Sequence, residues 1–184
     1  MSWSLKPFAK LLPWGGDAPP AENLYGAIMA QARLPIYYQR LGVPDTLEGR
    51  FSVLTIHLFA VFRRLKDAGP EGALVAHDLS NRFVADMDTV LREIGVGDLS
   101  VPKKVRKLVA SGATLIEVYD RAANESDDAL ETEIAANLPL DEKTAGEVGA
   151  RLTPYVKAML QELENQPMEQ IWAGRLQFPE VRRE

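Results

Sequence analysis

Apolar side chains recur every three or four residues from Leu47 to Lys66, and this period constrains the fold more than any other feature. Such spacing places the side chains along one stripe of an α-helix. The stripe comprises Leu47, Phe51, Leu54, Leu58, Val61, Phe62 and Leu65. Val53, Ile56 and Phe59 widen it, so the sequence predicts a central helix that is buried on most sides.

The rest of the chain also predicts helices, because no segment alternates convincingly at the two-residue period of a strand. The predicted helices cover residues 21–41, 47–66, 73–94, 101–122, 126–138 and 141–164, with a last turn after Pro167. Pro35 and Pro154 interrupt two of them, so we expect a kink or a division at each. Asp45 or Thr46, Ser126 and Asp141 are suitable N-caps.

These segments indicate an all-α fold, a single compact domain of about six to seven helices with several proline kinks. The length of 184 residues suits one domain with a real core. We expect an irregular N-terminal arm over residues 1–20, the helical domain over 21–175 and a frayed tail over 176–184.

The N-terminal arm is rich in large apolar side chains and has two interpretations. The apolar residues are Trp3, Leu5, Phe8, Leu11, Leu12 and Trp14, and they flank only Lys6 and Lys10. Such a segment suits an interfacial membrane anchor. It also suits an arm that packs over the domain's own core, which we favour because Pro7 and Pro13 shorten any helix.

Composition excludes several classes of protein. Without cysteine, the chain has no disulfide framework, thiolate nucleophile or zinc–thiolate site. No apolar run approaches the roughly 20 residues that span a bilayer. Residues 1–119 carry a net charge near +2 and residues 120–184 one near −7. This asymmetry is too mild to indicate nucleic-acid binding, so we expect no DNA partner.

Carboxylates and histidines do not form a recognisable catalytic or metal site, and we predict no catalytic residue, metal or cofactor. Asp86 and Asp88 point about 200° apart on a helix, so they cannot chelate one ion together. Asp88 is instead spaced to pair with Arg92. His57 lies beside the central apolar stripe, where a hydrogen-bonded core residue is the commoner role. A haem- or metal-handling protein that uses His57 or His77 is the alternative.

Two glycines shape a corner between the third and fourth long predicted helices. Gly95 should form a left-handed C-cap, and Asp98 or Ser100 can cap the next helix. No strand precedes the Gly-x-Gly pattern and its third glycine is missing, so it is not a dinucleotide site. The following helix begins with a cluster of cations, Lys103, Lys104, Arg106 and Lys107. They oppose the helix dipole, and they serve either solubility or an acidic partner or lipid.

Two ordered blocks of residues closely resemble the signature of the ubiquinol–cytochrome c chaperone family. The first block comprises Asp86-Met87-Asp88, Leu91-Arg92-Glu93-Ile94-Gly95-Val96-Gly97-Asp98-Leu99, Val101-Pro102-Lys103 and Val105. The second comprises Gln31-Ala32-Arg33, Pro35, Tyr38, Gly42-Val43-Pro44-Asp45-Thr46, Gly49-Arg50-Phe51 and His57. The family commonly continues with Phe-Tyr-Gly-Arg where this chain has Gly112-Ala113-Thr114-Leu115.

The resemblance implies a non-enzymatic assembly factor that binds newly made cytochrome b and supports assembly of the cytochrome bc1 complex. It implies the ribosome exit region, the inner-membrane surface and an additional assembly-factor subunit as further candidate partners. The expected location is cytoplasmic and peripheral at the bacterial inner membrane, or the mitochondrial matrix in a eukaryote. A membrane-surface lipid-binding scaffold is a second alternative.

Charged residues of the two blocks and of the basic helix are the candidate partner-binding residues. They are Arg33, Asp45, Arg50, Asp86, Asp88, Arg92, Asp98, Lys103, Lys104 and Lys107. The acidic C-terminal part, residues 120–184, would suit the basic loops of a membrane protein. The basic helix would then face lipid headgroups, ribosomal RNA or an acidic partner.

Overall fold

The computed structural model describes residues 19–180, in which all regular secondary structure is α-helical. The helices are α1 (Pro20–Ala32), α2 (Ile36–Gln39), α3 (Leu47–Lys66), α4 (Gly69–Glu93), α5 (Val101–Glu125), α6 (Asp127–Ala136), α7 (Glu142–Asn165) and α8 (Met168–Trp172). Two of these, α2 and α8, are single turns of 4 and 5 residues. The predicted all-α, single-domain fold is confirmed, and most of the N-terminal arm lies outside the described residues.

Three predicted N-caps fix where helices begin. The side chain of Thr46 accepts a hydrogen bond from the Gly49 amide at 3.1 Å, and this cap starts α3. Ser126 and Asp141 cap α6 and α7 in the same way, at 3.0 and 3.1 Å. Because each cap satisfies an amide that has no partner within the helix, it stabilises the start by about 1 kcal/mol.

Prolines have different effects at the two predicted interruptions. Pro35 separates α1 from the short helix α2, as predicted. Pro154 does not divide α7, which continues through it to Asn165. Helix α5 extends to Glu125, so that Ser126 alone joins it to α6.

Helix α3 occupies the centre of the domain and packs against α1, α4, α5 and α7. Every residue from Ser52 to Val61 is buried, which confirms the predicted central helix. Leu47, placed inward by its spacing, is 48% exposed because it is the first helical residue, at the edge of the core. Ile94 is likewise exposed, since it lies in the corner beyond the last turn of α4.

The corner between α4 and α5 has a small apolar cluster of its own. Leu91, Val101 and Val105 are its buried members. Gly95 has φ +84°, its amide bonds to the Arg92 carbonyl, and the Val96 amide bonds to the Leu91 carbonyl at 3.0 Å. These two hydrogen bonds form a Schellman motif, so the predicted glycine C-cap is present.

The chain after α8 returns to the main core. Leu176 and Phe178 pack against that core, although both remain partly exposed. The Gln166 side chain accepts a hydrogen bond from the Gln177 amide at 3.1 Å and donates one to the Arg175 carbonyl at 2.8 Å. These bonds hold residues 175–178 against the end of α7.

Contact between α6 and α7 predicts opposite effects for two glycines of the same helix. A Cβ at Gly149 would lie 2.9 Å from the Ala135 Cβ and 3.3 Å from the Glu131 carbonyl, whereas one at Gly146 would meet nothing within 4 Å. Gly149→Ala should therefore lower the free energy of unfolding by about 1–2 kcal/mol. Gly146→Ala should raise it by about 0.5–1 kcal/mol through helix propensity. Urea denaturation measures both, and a stabilised Gly149→Ala protein would contradict the close packing of α6 on α7.

Candidate functional site

An open apolar groove with a volume of about 510 Å³ is the candidate functional site. Helices α1, α3, α4 and α5 and the connection between α6 and α7 form its walls. Its apolar lining includes Met29, Tyr38, Leu47, Phe51, Leu54, Met87, Val90, Leu91, Leu108, Leu115 and Leu138. The volume is within the range of sites that bind ligands or apolar side chains.

One residue of the segment where this chain departs from the family signature lies at the groove. The Phe51 ring lines the groove and packs against the Phe83 ring, with centroids 6.4 Å apart. A Cβ added at Gly112 would lie 3.5 Å from Cζ of Phe51, and Leu115 lines the groove directly. Leu115 is therefore the residue of this segment that contributes to the lining, and Gly112 lies beside the Phe51 ring.

Charged residues border the groove, and three of them belong to the predicted partner-binding set. Arg33, Arg50 and Asp86 line it together with Glu48. Arg50 donates from Nε to Asp45 at 2.6 Å. This hydrogen bond lowers the pKa of Asp45, a fourth member of the set.

Asp86 links α4 to α1 at one wall of the groove. The Tyr25 hydroxyl donates to Oδ2 of Asp86 at 2.8 Å, and burial together with this carboxylate raises the pKa of Tyr25. Arg82 lies 3.8 Å from Asp86, stacks over the Tyr25 ring and pairs with Glu22 at 3.0 Å. Asp86 thus connects α4 to α1 in this wall of the groove.

The other predicted residues gather at the corner between α4 and α5. Arg92 binds Asp88 and Asp98, each at 2.6 Å, so the predicted pair between Asp88 and Arg92 is present. Its hydrogen bond lowers the pKa of Asp88. Asp98 is consequently not an N-cap, and Ser100 occupies that position without a side-chain hydrogen bond.

The basic residues of α5 lie just beyond this corner. Lys103, Lys104 and Lys107 are exposed, as is Arg106. Within residues 19–180 none of the four forms an ion pair. The structure therefore divides the ten predicted residues into two groups, one at the groove and one at the corner.

His57 is a core residue, as expected from its place beside the apolar stripe. It is 1% exposed, and Nδ1 donates to the Val53 carbonyl at 2.8 Å. Nε2 then accepts from the hydroxyl cluster of Tyr37 and Tyr155, which lie 3.1 and 3.0 Å away. Those two hydroxyls are 2.7 Å apart, and Gln31 donates to both. Both ring nitrogens are therefore occupied by protein partners.

A second cleft, with a volume of about 330 Å³ and a polar lining, lies where α3 ends between α5 and α7. Asp120 accepts hydrogen bonds from Arg63 at 2.6 Å and Lys66 at 3.1 Å. Arg64 donates to the Leu163 carbonyl at 2.8 Å. These cations connect α3 to α5 and α7, so the cleft is a structural junction between helices.

Among residues 19–180, no three His, Cys, Asp or Glu side chains are placed to hold a metal ion together. Over the same range, no helix combines the length and apolar character that crossing a membrane requires.

Comparisons with known proteins point to one family. The sequence profile described as "Ubiquinol-cytochrome C chaperone" matches residues 39–178, which include α3, the corner and the basic part of α5. The crystal structure of the Cbp3 homolog from Brucella abortus superposes with a TM-score of 0.75 and 29% sequence identity. That match covers 88% of this chain and 90% of the other. A search of curated proteins found no match.

The buried histidine predicts a loss of stability in mild acid. Burial lowers the pKa of His57 to about 4 from its ordinary value of 6.5, so below pH 6.5 the unfolded state binds more protons. The contribution of the neutral His57 to stability is fully present above pH 6.5 and is lost progressively as the pH falls toward 4. The free energy of unfolding should drop by about 2 kcal/mol between pH 7.5 and pH 5.

Urea denaturation at several pH values measures this dependence. His57→Leu should flatten it, whatever its effect on stability at neutral pH. His77→Gln changes the exposed histidine and is the matched control, which should keep the slope. An unchanged slope in His57→Leu would show that other groups cause the acid sensitivity.

Proposed function

Because the chain belongs to the ubiquinol–cytochrome c chaperone family, we propose that it is a non-enzymatic assembly factor of the cytochrome bc1 complex that binds newly made cytochrome b. The observation that carries this proposal is the apolar groove between α1, α3, α4 and α5, with its charged border. The role is to shield a segment of the client until haem and partner subunits arrive.

The lining of the groove suits an apolar segment of a membrane protein. Met29 and Met87 have flexible, polarisable side chains that adapt to differently shaped partners. An amphipathic or apolar helix laid into such a groove buries its side chains and leaves its flanks at the border. Arg33 and Glu48 at the border offer a cation and an anion to those flanks.

The acidic C-terminal part of the chain supports the same client. Residues 120–184 carry a net charge near −7. Loops of membrane proteins on the cytoplasmic side are enriched in lysine and arginine. This acidic part of the chain would attract these loops and speed the encounter, more strongly at low salt than at high salt.

The haem- or metal-handling alternative receives no support from His57. A ligand bond would have to replace the hydrogen bond that Nε2 accepts from the cluster of Tyr37 and Tyr155, or the one that Nδ1 donates. Either change would leave a polar group without a partner in the core, which costs about 1–3 kcal/mol. A haem titration that gave a saturable Soret shift, abolished by His57→Ala, would favour this alternative instead.

Deletion of the gene tests the proposed function in the organism. Loss of the chaperone should lower the b-haem absorbance of the membranes, since cytochrome b without protection fails to assemble. Complementation with the wild-type gene should restore the absorbance. Unaltered membrane spectra in the deletion strain would refute the role in bc1 assembly.

Substitution of two exposed leucines tests whether the client binds at the groove or elsewhere on the surface. Leu47 lines the groove and is 48% exposed, whereas Leu74 is 51% exposed and lies outside it. Leu47→Glu should reduce the cytochrome b that co-purifies with the tagged full-length chain by about ten-fold, because an apolar client would bury the new carboxylate. Leu74→Glu is the control and should capture as much as the wild type. Equal capture by both variants would exclude the groove as the client site.

A further inference from the structure

The corner between α4 and α5 exposes two large apolar side chains beside a group of cations. Leu99 is 100% exposed and Ile94 is 54% exposed. We call residues 94–99 the tip, and Lys103, Lys104, Arg106 and Lys107 the basic collar. Exposed apolar residues that lie next to unpaired cations are the combination by which peripheral proteins bind anionic membranes.

The tip is a rigid structure. The Schellman motif at Gly95 fixes the end of α4, and Arg92 joins Asp88 before the tip to Asp98 within it. The apolar cluster around Leu91 packs beneath it. The Leu99 side chain is therefore exposed on a corner whose backbone is fixed by these bonds.

The basic collar is unfavourable for the isolated protein. Lys103 and Lys104 lie in the first turn of α5, where the helix dipole repels them, and no acidic residue occupies that turn. Arg106 and Lys107 follow in the second turn and add to the repulsion among the cations. None of the four has an ion-pair partner within residues 19–180. An external anionic surface would remove this repulsion.

The collar also lies far from the acidic residues with which α6 begins. Helix α5 has 25 residues, so its ends are about 37 Å apart. Asp127 and Asp128 follow at its far end, where α6 begins. This separation of charge would turn the tip toward an anionic surface and the acidic end away from it.

We propose that the tip docks the protein on an anionic bilayer surface, with Leu99 and Ile94 at the boundary between headgroups and acyl chains and the collar against lipid phosphates. A bilayer fits better than RNA, because residues 94–107 contain no aromatic side chain on which a base could stack. An RNA surface would also leave Leu99 without an apolar environment.

This proposal rests on the proposed function and explains how the groove meets its client. Leu91 and Leu108 line the groove and also belong to the cluster under the tip. A docked tip would therefore hold the groove close to the membrane surface, where apolar segments of the client are accessible.

The absence of cysteine makes a direct test possible. Leu99→Cys and the control Leu74→Cys are each labelled in the full-length chain with an environment-sensitive NBD dye. Each is mixed with vesicles of phosphatidylcholine alone or with phosphatidylglycerol added. The dye at position 99 should shift to the blue and brighten on the anionic vesicles, and the dye at position 74 should not. An unshifted dye at position 99 overturns the proposal, even when the chain floats with the vesicles, because residues 1–18 or another surface then make the contact.

Flotation of unlabelled variants tests the two parts of the tip separately. Leu99→Ser should weaken binding to anionic vesicles, as should the triple variant Lys103→Glu, Lys104→Glu and Lys107→Glu, by at least about ten-fold. The charge control reverses three exposed cations that form no ion pair within residues 19–180, Arg40, Arg121 and Lys143, and it should bind like the wild type. If both triple variants lost vesicle binding equally, net charge alone would explain the loss, and the assignment of the collar would be overturned.

Ribosome co-sedimentation provides the competing outcome. If the triple collar variant no longer co-sediments with ribosomes but still floats with anionic vesicles, the collar binds RNA and the proposal is wrong. The vesicle assays contain no client, so their failure would leave capture of cytochrome b through the groove untouched. Failure of the Leu47→Glu experiment would conversely leave membrane docking intact.

Discussion

A closed set of buried hydrogen bonds around His57 is the interaction on which the arrangement of α1, α2, α3 and α7 depends. Gln31, Tyr37 and Tyr155 each contribute a polar group from a different segment, and all of them meet at or near Nε2 of the histidine. Leaving a buried polar group without its partner destabilises the protein by more than the hydrogen bond stabilises it. Only a helix packing that keeps all of these hydrogen bonds is therefore favourable. Helix α2 has only 4 residues, and Tyr37 anchors it. The neighbouring Tyr38 reaches the groove because that turn is fixed.

One helical hairpin, α4 with α5, forms a wall of the groove and carries the tip. Helices α4 and α5 supply one wall of the groove and then close over their own apolar cluster before they reach the corner. A force or a contact at the corner would act on Leu91 and Leu108, which belong to both regions. Leu91 and Leu108 are thus the packing contacts that the two regions share.

Local signals in the sequence predicted the helices well, and tertiary features poorly. Ser126 and Asp141 act as caps and Gly95 ends α4 as expected, because capping depends on residues close together in the chain. The groove could not be predicted in this way, since it exists where the faces of four helices fail to meet. Leu47 has the spacing of a core residue and yet lines an open surface. Asp86 matched a family signature, but its bond to a tyrosine on another helix has no signal in the sequence.

The junction at Ser126 has a consequence for how such a chain can change its length. This residue is at once the C-cap of α5 and the N-cap of α6, so no loop separates the two helices. An insertion of one residue within α5 would rotate everything beyond it by about 100°. Leu115 at the groove and the collar near Lys103 would then face different directions, and no flexible connection at the far end would absorb the change. Variation between related chains should therefore be easier by substitution than by insertion along this helix, and indels should collect in the connections on either side of the α5–α6 unit.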